Sequence, residues 1–361
     1  MNSKLLTLHE RLPRLGVDAI LFNTSEILPS ANLRYLTGFS GSDATMLVTG
    51  TERHFFTDGR YKTQAKQETE GFRVHVVRNK LNSLTRTITR AGIRKLGVET
   101  SRISYEFMIL LLRRLPALEV IPLKRDLLEA LRIRKTSEER EKIREAATIA
   151  SSACHKVIKG GLVGRRETEV AGELEALFRS AGAEGIAFDT IVASGKRSAL
   201  PHGKASDRVI GPQQMVIVDF GCRFQGYNSD ETITCITGEA SPEQAKIHQT
   251  VYDAHMRALD AAKVGVRARS VDSVARKSIE KAGYGKYFLH GLGHGVGLEI
   301  HEPPYLSPRG RGFLEEGMVF TIEPGIYVEG IGGVRLESLV FLESTGPDIL
   351  SQMPKDLIAC E

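Results

Sequence analysis

A chain of 361 residues, 41% hydrophobic and 26% charged, has the make-up of an ordinary globular protein of two or three domains; this excludes a disordered, fibrous or collagenous chain. The net charge of +5 is unevenly spread: residues 1–135 carry 23 Lys and Arg against 13 Asp and Glu, and residues 136–361 carry 26 against 31. The longest apolar run, Phe107 to Leu112, falls far short of the ~20 residues of a spanning helix, so no membrane partner is expected.

Between Met1 and Leu15 the leucines are interrupted by Lys4, His9, Glu10, Arg11 and Arg14, which is not the pattern of a secretory signal and gives a cytoplasmic address as the expectation. The cysteines Cys154, Cys222, Cys235 and Cys360 form no Cys-x-x-Cys pair and read as reduced, structural residues. The basic N-terminal part invites a nucleic-acid reading, but its charges are dispersed, there is no Trp, and no recognition motif accompanies them. No nucleic-acid partner is therefore expected.

Up to about residue 125, short apolar runs alternate with turn signals. Asp18–Phe22, Thr45–Thr49 and Arg73–Val77 read as strands, Tyr61–Glu70 as a helix, and Gly50, Gly71 and Gly97 as punctuation, which together predict an α/β layer domain over 1–130. The charged stretch from Leu131 to Arg144 follows, with Thr136 or Ser137 ahead of glutamates as a helix N-cap; it reads as a domain boundary or as a solvated helix inside a larger domain. Over 136–361 the pattern becomes helix pairs followed by strands, twice. Helices are predicted at 137–159, 167–181, 242–262 and 270–282, and strands at Met215–Phe220, Glu231–Ile236, Met318–Ile322 and Val334–Phe341.

Four acids break these apolar runs. Asp219 follows three β-branched or apolar residues where a buried strand is expected, and an ionised carboxylate there needs a partner. Asp230, eleven residues on, reaches the same face if a short hairpin joins the two strands. Glu323 ends a third run before Pro324 and Gly325, and Glu337 interrupts a fourth. A histidine comes from His290-Gly291-Leu292-Gly293-His294-Gly295-Val296-Gly297, where His294 is the candidate and the glycines let the backbone approach whatever the imidazole binds. The stretch is no dinucleotide loop, because Val296, Leu298 and Ile300 occupy the third-glycine positions; nor is Gly195-Lys196 a phosphate loop, since Thr190 replaces the upstream glycine. Each acid alone has an ordinary explanation as a turn cap or ion-pair member. Four carboxylates and one imidazole together form a hard, oxygen-rich donor set suited to divalent manganese, cobalt or zinc.

These segments resemble the pita-bread metallopeptidases, in particular the Xaa-Pro branch of aminopeptidase P and prolidase. The resemblance rests on Val218-Asp219-Phe220-Gly221 through Ser229-Asp230, Gly293-His294-Gly295 through His301-Glu302, Thr321-Ile322-Glu323-Pro324-Gly325-Ile326-Tyr327, and Gly333-Val334-Arg335-Leu336-Glu337, in matching order and spacing. Asn32–Phe39 and Thr57–Tyr61 look like that family's N-terminal domain. The resemblance implies a two-domain protein: a small N-terminal α/β (creatinase-type) domain and a C-terminal α+β pita-bread domain. It implies two divalent metal ions, manganese first, with Asp219 on one, His294 and Glu323 on the other, and Asp230 and Glu337 bridging.

His202 and His301 match substrate-facing histidines, Tyr327 and Arg335 match positions that support the ligands, and Glu323 would shuttle a proton. The implied activity is removal of an N-terminal residue that precedes proline, with a dipeptide-restricted prolidase as the alternative. Peptides with proline in second place would be the substrates and a second copy of the chain the partner. Two positions depart from the pattern: Ser338 replaces the usual Asp, and Ile233 a common Arg. Methionine aminopeptidases usually lack the N-terminal domain. Metal-free creatinase-like hydrolases lack the five donors, and non-catalytic binding modules on the same fold have generally lost several of them.

Overall fold

The architecture comes from a computed structural model that describes residue 8, residues 14–124 and residues 129–360; residues 1–7 and 9–13 of the N-terminal stretch considered above lie outside the described residues. The chain divides into two compact units, Met1–Arg132 and Ile133–Glu361. No helix among the described residues is long and apolar enough to cross a membrane.

In the first unit the apolar runs become strands β1 (Ala19–Thr24), β2 (Ala44–Thr49), β3 (Arg53–Thr57), β4 (Arg73–Val76), β5 (Lys95–Val98) and β6 (Glu119–Pro122). They form one mixed sheet in the order β4-β3-β2-β1-β5-β6. Side chains alternate across it, so both faces need cover. Ile20, Phe22, Met46, Val48 and Phe55 pack with Leu33 and Leu36 of α1 (Ala31–Thr37) and Ala65 of α2 (Lys62–Glu68). Ala19, Leu21, Leu47 and Phe56 pack with Leu84 and Ile88 of α3 (Lys80–Arg90) and Leu111 of α4 (Tyr105–Arg114). Helices on both faces of a six-stranded sheet make this an α/β layer domain, and the six-residue apolar run lies within α4.

The second unit starts with α5 (Ser137–Lys159), whose N-cap is Thr136: its hydroxyl accepts from the Glu139 amide while the Glu139 carboxylate accepts from the Thr136 amide. The preceding charged stretch is not wholly solvated. Lys135 is buried, and its ammonium meets the equally buried Glu302 carboxylate at 2.7 Å.

After α6 (Glu167–Ser180) come β7 (Gly185–Ile186), β8 (Ile191–Ser194), β9 (Met215–Phe220), β10 (Cys222–Phe224), β11 (Tyr227–Asn228) and β12 (Glu231–Ile236). Helices α7 (Pro242–Ala261) and α8 (Ala268–Lys281) precede β13 (Gly293–Gly295), β14 (Glu302–Leu306), β15 (Val319–Ile322), β16 (Gly325–Val328), β17 (Gly332–Arg335), β18 (Ser338–Glu343), β19 (Gly346–Ile349) and β20 (Ile358–Ala359). Two larger sheets result, β20-β12-β9-β8 and β14-β13-β15-β18-β19, each preceded in the chain by a helix pair. One core cluster joins α5 and α6 to the first sheet, and another joins α7 and α8 to the second.

Two expectations are corrected. Val334–Phe341 is not one strand, because Leu336 and Glu337 leave the ladder: their amides donate to Pro324 O and Thr232 O, so β17 pairs with β16 while β18 pairs with β15. Nor does a short loop join β9 to β12. A second small hairpin, β10–β11, sits between them, turned by Gln225 and Gly226 at φ 48° and 85°, as a two-residue hairpin turn demands.

On α7, His255 is buried with neither ring nitrogen hydrogen-bonded, and burial pushes its pKa down to about 3, the charge of Lys355 adding to the effect. Folded His255 stays neutral while the unfolded chain takes up the proton, so its contribution is fully present above about pH 6.5. It is lost progressively as the pH falls from there toward about 3, by up to ~1.4 kcal/mol per pH unit. Thermal unfolding followed from pH 7 to pH 4 is expected to show a shallower fall in Tm for His255→Leu than for the parent chain.

Candidate metal centre

Asp219 lies on β9 opposite Thr232 of β12, and Asp230 precedes Thr232 by two residues, which sets the two carboxylates diagonally on one face. The other donors come from the second sheet and its margin: His294 at the centre of β13, Glu323 directly after β15, and Glu337 between β17 and β18. All five line one cavity of about 620 Å³, together with His202, His290, His301, Tyr327 and Arg335. Sequence positions more than a hundred residues apart therefore converge. Single ligand atoms of Asp230, His294 and Glu337 all fall within 4.8 Å of one another, and this is the metal-competent trio among the described residues.

The glycines around His294 also answer to strand packing. A Cβ on Gly293 would lie 2.0 Å from Thr321 O, and one on Gly295 2.2 Å from Pro303 O. They let β13 fit between β15 and β14, and Gly291 and Gly293 also line the cavity.

The hydrogen bonds set the proton positions. His294 Nδ1 faces Gly295 O at 3.1 Å, which assigns the proton to Nδ1 and leaves the Nε2 lone pair toward Glu323 Oε1 at 3.3 Å and Asp230 Oδ2 at 3.5 Å. A lone pair aimed at two carboxylate oxygens is repulsive unless a cation or a carboxyl proton stands between them. Burial keeps this imidazole neutral, holding its pKa at about 3. Asp219 Oδ1 is buried without a partner, while Arg335 Nη2 donates to Oδ2 at 2.6 Å.

Arg335 is the centre's one guanidinium. Besides Asp219 it donates to Tyr327 OH at 2.8 Å, to Pro201 O at 3.0 Å and, through Nε, to Thr232 Oγ1 at 3.3 Å. Thr232 passes its own proton to Glu337 Oε2 at 2.6 Å. Thr321 does the same for Glu323 Oε1 at 3.2 Å while accepting from the His294 amide. Each glutamate thus holds one threonine hydroxyl.

Burial, followed by the charges of neighbouring carboxylates, pushes the Asp230 and Glu337 carboxyls well above their ordinary range. Burial likewise raises Glu323 to about 8, against the opposing pull of Arg335. The acids resist sharing the cavity as anions.

His202 and His301 stand exposed on the cavity wall, and the His301 ring meets His294 edge-on at 4.2 Å between centroids. Burial and the charge of His202 lower the His301 pKa. His290 was quoted in the histidine motif but given no role. Its Nδ1 faces Gly291 O at 2.8 Å and its Nε2 accepts from Tyr327 OH at 2.9 Å, so Arg335, Tyr327 and His290 form one hydrogen-bonded chain. The departure at Ile233 points away from the cavity into the apolar cluster beneath the sheet, as its alternation with Thr232 requires.

The Thr232 hydroxyl orients an oxygen of Glu337. Thr232→Val is expected to weaken divalent-ion affinity about 10- to 100-fold with the fold retained, measured by calorimetric titration of manganese into the apo chain.

Comparison with known proteins places the whole chain in a family. The profile of "Metallopeptidase family M24" matches residues 141–344, and that of "Creatinase/Prolidase N-terminal domain" matches residues 4–134. The chain is 39% identical to the uncharacterized peptidase YqhT of Bacillus subtilis over 98% of this chain and 99% of that one. It is 38% identical to the Xaa-Pro dipeptidase of Pyrococcus horikoshii over 99% of both. The solved structure of an X-Pro aminopeptidase from Thermotoga maritima superposes with a TM-score of 0.91 at 40% identity, covering 98% of this chain and 99% of the other. With its donors gathered in one buried cavity and an N-terminal α/β unit ahead of them, this chain belongs to metallopeptidase family M24.

Proposed function

We propose that the chain hydrolyses the peptide bond before proline at the N-terminus of short peptides, using two divalent metal ions held by Asp219, Asp230, His294, Glu323 and Glu337. Manganese is the first choice, with cobalt or zinc as alternatives. One observation carries the reading: a buried set of four carboxylates and an imidazole lone pair, with Asp219 Oδ1 unpartnered and a single guanidinium to offset the charge. That donor set fits hard divalent cations. When bound, such ions activate water and polarise the scissile carbonyl.

The protein's own groups do the rest. Arg335 holds Asp219 in place, and through Thr232 it also orients Glu337. Glu323 takes the proton from the attacking water and delivers it to the prolyl nitrogen, which has no hydrogen of its own and leaves only once protonated. His202 and His301, on the exposed wall of the cavity, grip the substrate carbonyl and the chain beyond it. Phe188, Ile191 and Ile300 supply apolar lining for the proline ring.

Similar proteins carry both names, X-Pro aminopeptidase and Xaa-Pro dipeptidase. The Thr57–Tyr61 segment favours the aminopeptidase, with the dipeptidase as second reading. The family resemblance further supports a homodimer, and the charged residues that interrupt the leucines between Met1 and Leu15 favour a cytoplasmic address.

Two assays test the reading. Chelation is expected to abolish hydrolysis and manganese, cobalt or zinc to restore it, with Asp230→Asn and Glu337→Gln inactive in every metal. Comparing an Xaa-Pro dipeptide with an Xaa-Pro-Yaa tripeptide then sets the chain length: cleavage of the tripeptide establishes the aminopeptidase, cleavage of the dipeptide alone the dipeptidase. Refusal of both by the metal-loaded chain overturns the proposal.

A further inference from the structure

We propose that Cys235 and Cys360 are a modification site: a thiol pair that a small-molecule disulfide converts into a disulfide bond, fastening the C-terminal strand β20 to β12. The two strands run parallel, with Cys235 opposite Ile358 and Ile236 opposite Ala359, and the Cys360 amide donates to Ile236 O at 2.8 Å. Residue 360 stands two places beyond 358, so its side chain leaves the same face as that of Cys235. The Sγ atoms lie 2.8 Å apart within one apolar cluster. Nothing intervenes, and a short displacement reaches the ~2.05 Å of a sulfur–sulfur bond.

Cys360, buried at 2% exposure, also lines a cavity of about 570 Å³ with Gly160, Gly161, Met353 and Pro354, and in the proposed reaction a small oxidant approaches from that side. Cys360, deprotonated, attacks one sulfur of the oxidant, such as oxidised glutathione, and releases one glutathione thiolate. Cys235, giving up its proton, then attacks Cys360 Sγ in the mixed disulfide and releases the second. Two protein thiols become one disulfide, two electrons pass to the oxidant, and the two protons end on two glutathione thiols.

The loop closed in this way contains His294, Glu323 and Glu337. The other end of β12 is already tied to the same C-terminal segment, since the Glu231 carboxylate accepts from the Met353 amide at 2.9 Å and from Lys355 Nζ at 2.6 Å. A covalent bond at the Cys235 end completes that attachment and restricts the unfolded chain across a long loop.

The experiment oxidises the purified full-length chain with glutathione disulfide and counts alkylatable thiols in denaturant. Four thiols are expected to fall to two, with a Cys235–Cys360 cross-linked peptide by mass spectrometry, recovery of all four on reduction, and a Tm rise of roughly 5 °C or more. Cys360→Ser is expected to lose cross-link and Tm rise together, and Cys222→Ser to keep both. Four thiols persisting through the oxidant series, a stalled glutathione adduct at Cys360, or a cross-link through Cys154 or Cys222 overturns the proposal.

Discussion

Four carboxylates confined to one buried cavity repel one another, and the rest of the second unit is arranged around that repulsion. Without ions it is relieved only by uptake of protons, which is why burial and mutual charge lift the Asp230, Glu323 and Glu337 carboxyls above their usual range. Arg335 cannot settle it alone, because its single charge is already divided among Asp219, Tyr327, Thr232 and a backbone carbonyl. A divalent cation would convert the same arrangement from a liability into a binding site. The energy a metal gains there is the energy the empty cluster lacks.

Rigid placement follows from where the donors stand. None is on a long loop: each lies on a strand or within two residues of one, drawn from two sheets that have separate helix pairs behind them. Strand ends give side chains fixed positions while keeping them clear of the ladder. The close contacts at Gly293 and Gly295 press β13 between its neighbours, so His294 has little freedom to retreat from the acids. Thr232 and Thr321 then each fix one oxygen of a glutamate, that of Glu323 being the one that faces His294 Nε2.

Most of this was legible in the sequence because the signals were local conflicts. Asp219 stands out as an acid in a run that otherwise reads as a buried strand, and Glu323 as an acid between an apolar run and a Pro-Gly terminator. Glu337 stands out as an acid interrupting an apolar run, but it lies between two strands and not within one. Val-Arg-Leu-Glu-Ser-Leu-Val reads as continuous, and what breaks it is a pair of amide bonds to Pro324 and Thr232, far away in the chain. The burial of Lys135 was hidden for a similar reason: in a run of charged residues it looks solvated until Glu302, 167 residues later, is seen beside it. For the histidine-motif glycines, sequence shows the absence of a side chain but not the strand backbones of Thr321 and Pro303 that also require it.

His290 shows how far such reading extends. It is one of two histidines in a single glycine-rich stretch, and nothing in that stretch separates an imidazole that faces carboxylates from one that faces a phenol. The separation is made by Tyr327. Arg335 donates to the phenol oxygen, so the phenol proton must go to His290 Nε2, which in turn fixes the His290 proton on Nδ1 against Gly291 O. Burial keeps Tyr327 protonated by pushing it up to about 12, and keeps His290 neutral by pulling it down to about 4. Every proton in the chain from Arg335 Nη1 to Gly291 O therefore has one consistent place, while Arg335 Nη2 donates separately to Asp219 Oδ2. This row carries no charge toward the acids beyond that of the guanidinium, so it fixes the position of Arg335 without adding to its neutralising power. The deficit of positive charge in the cavity is left intact for the metal ions to fill.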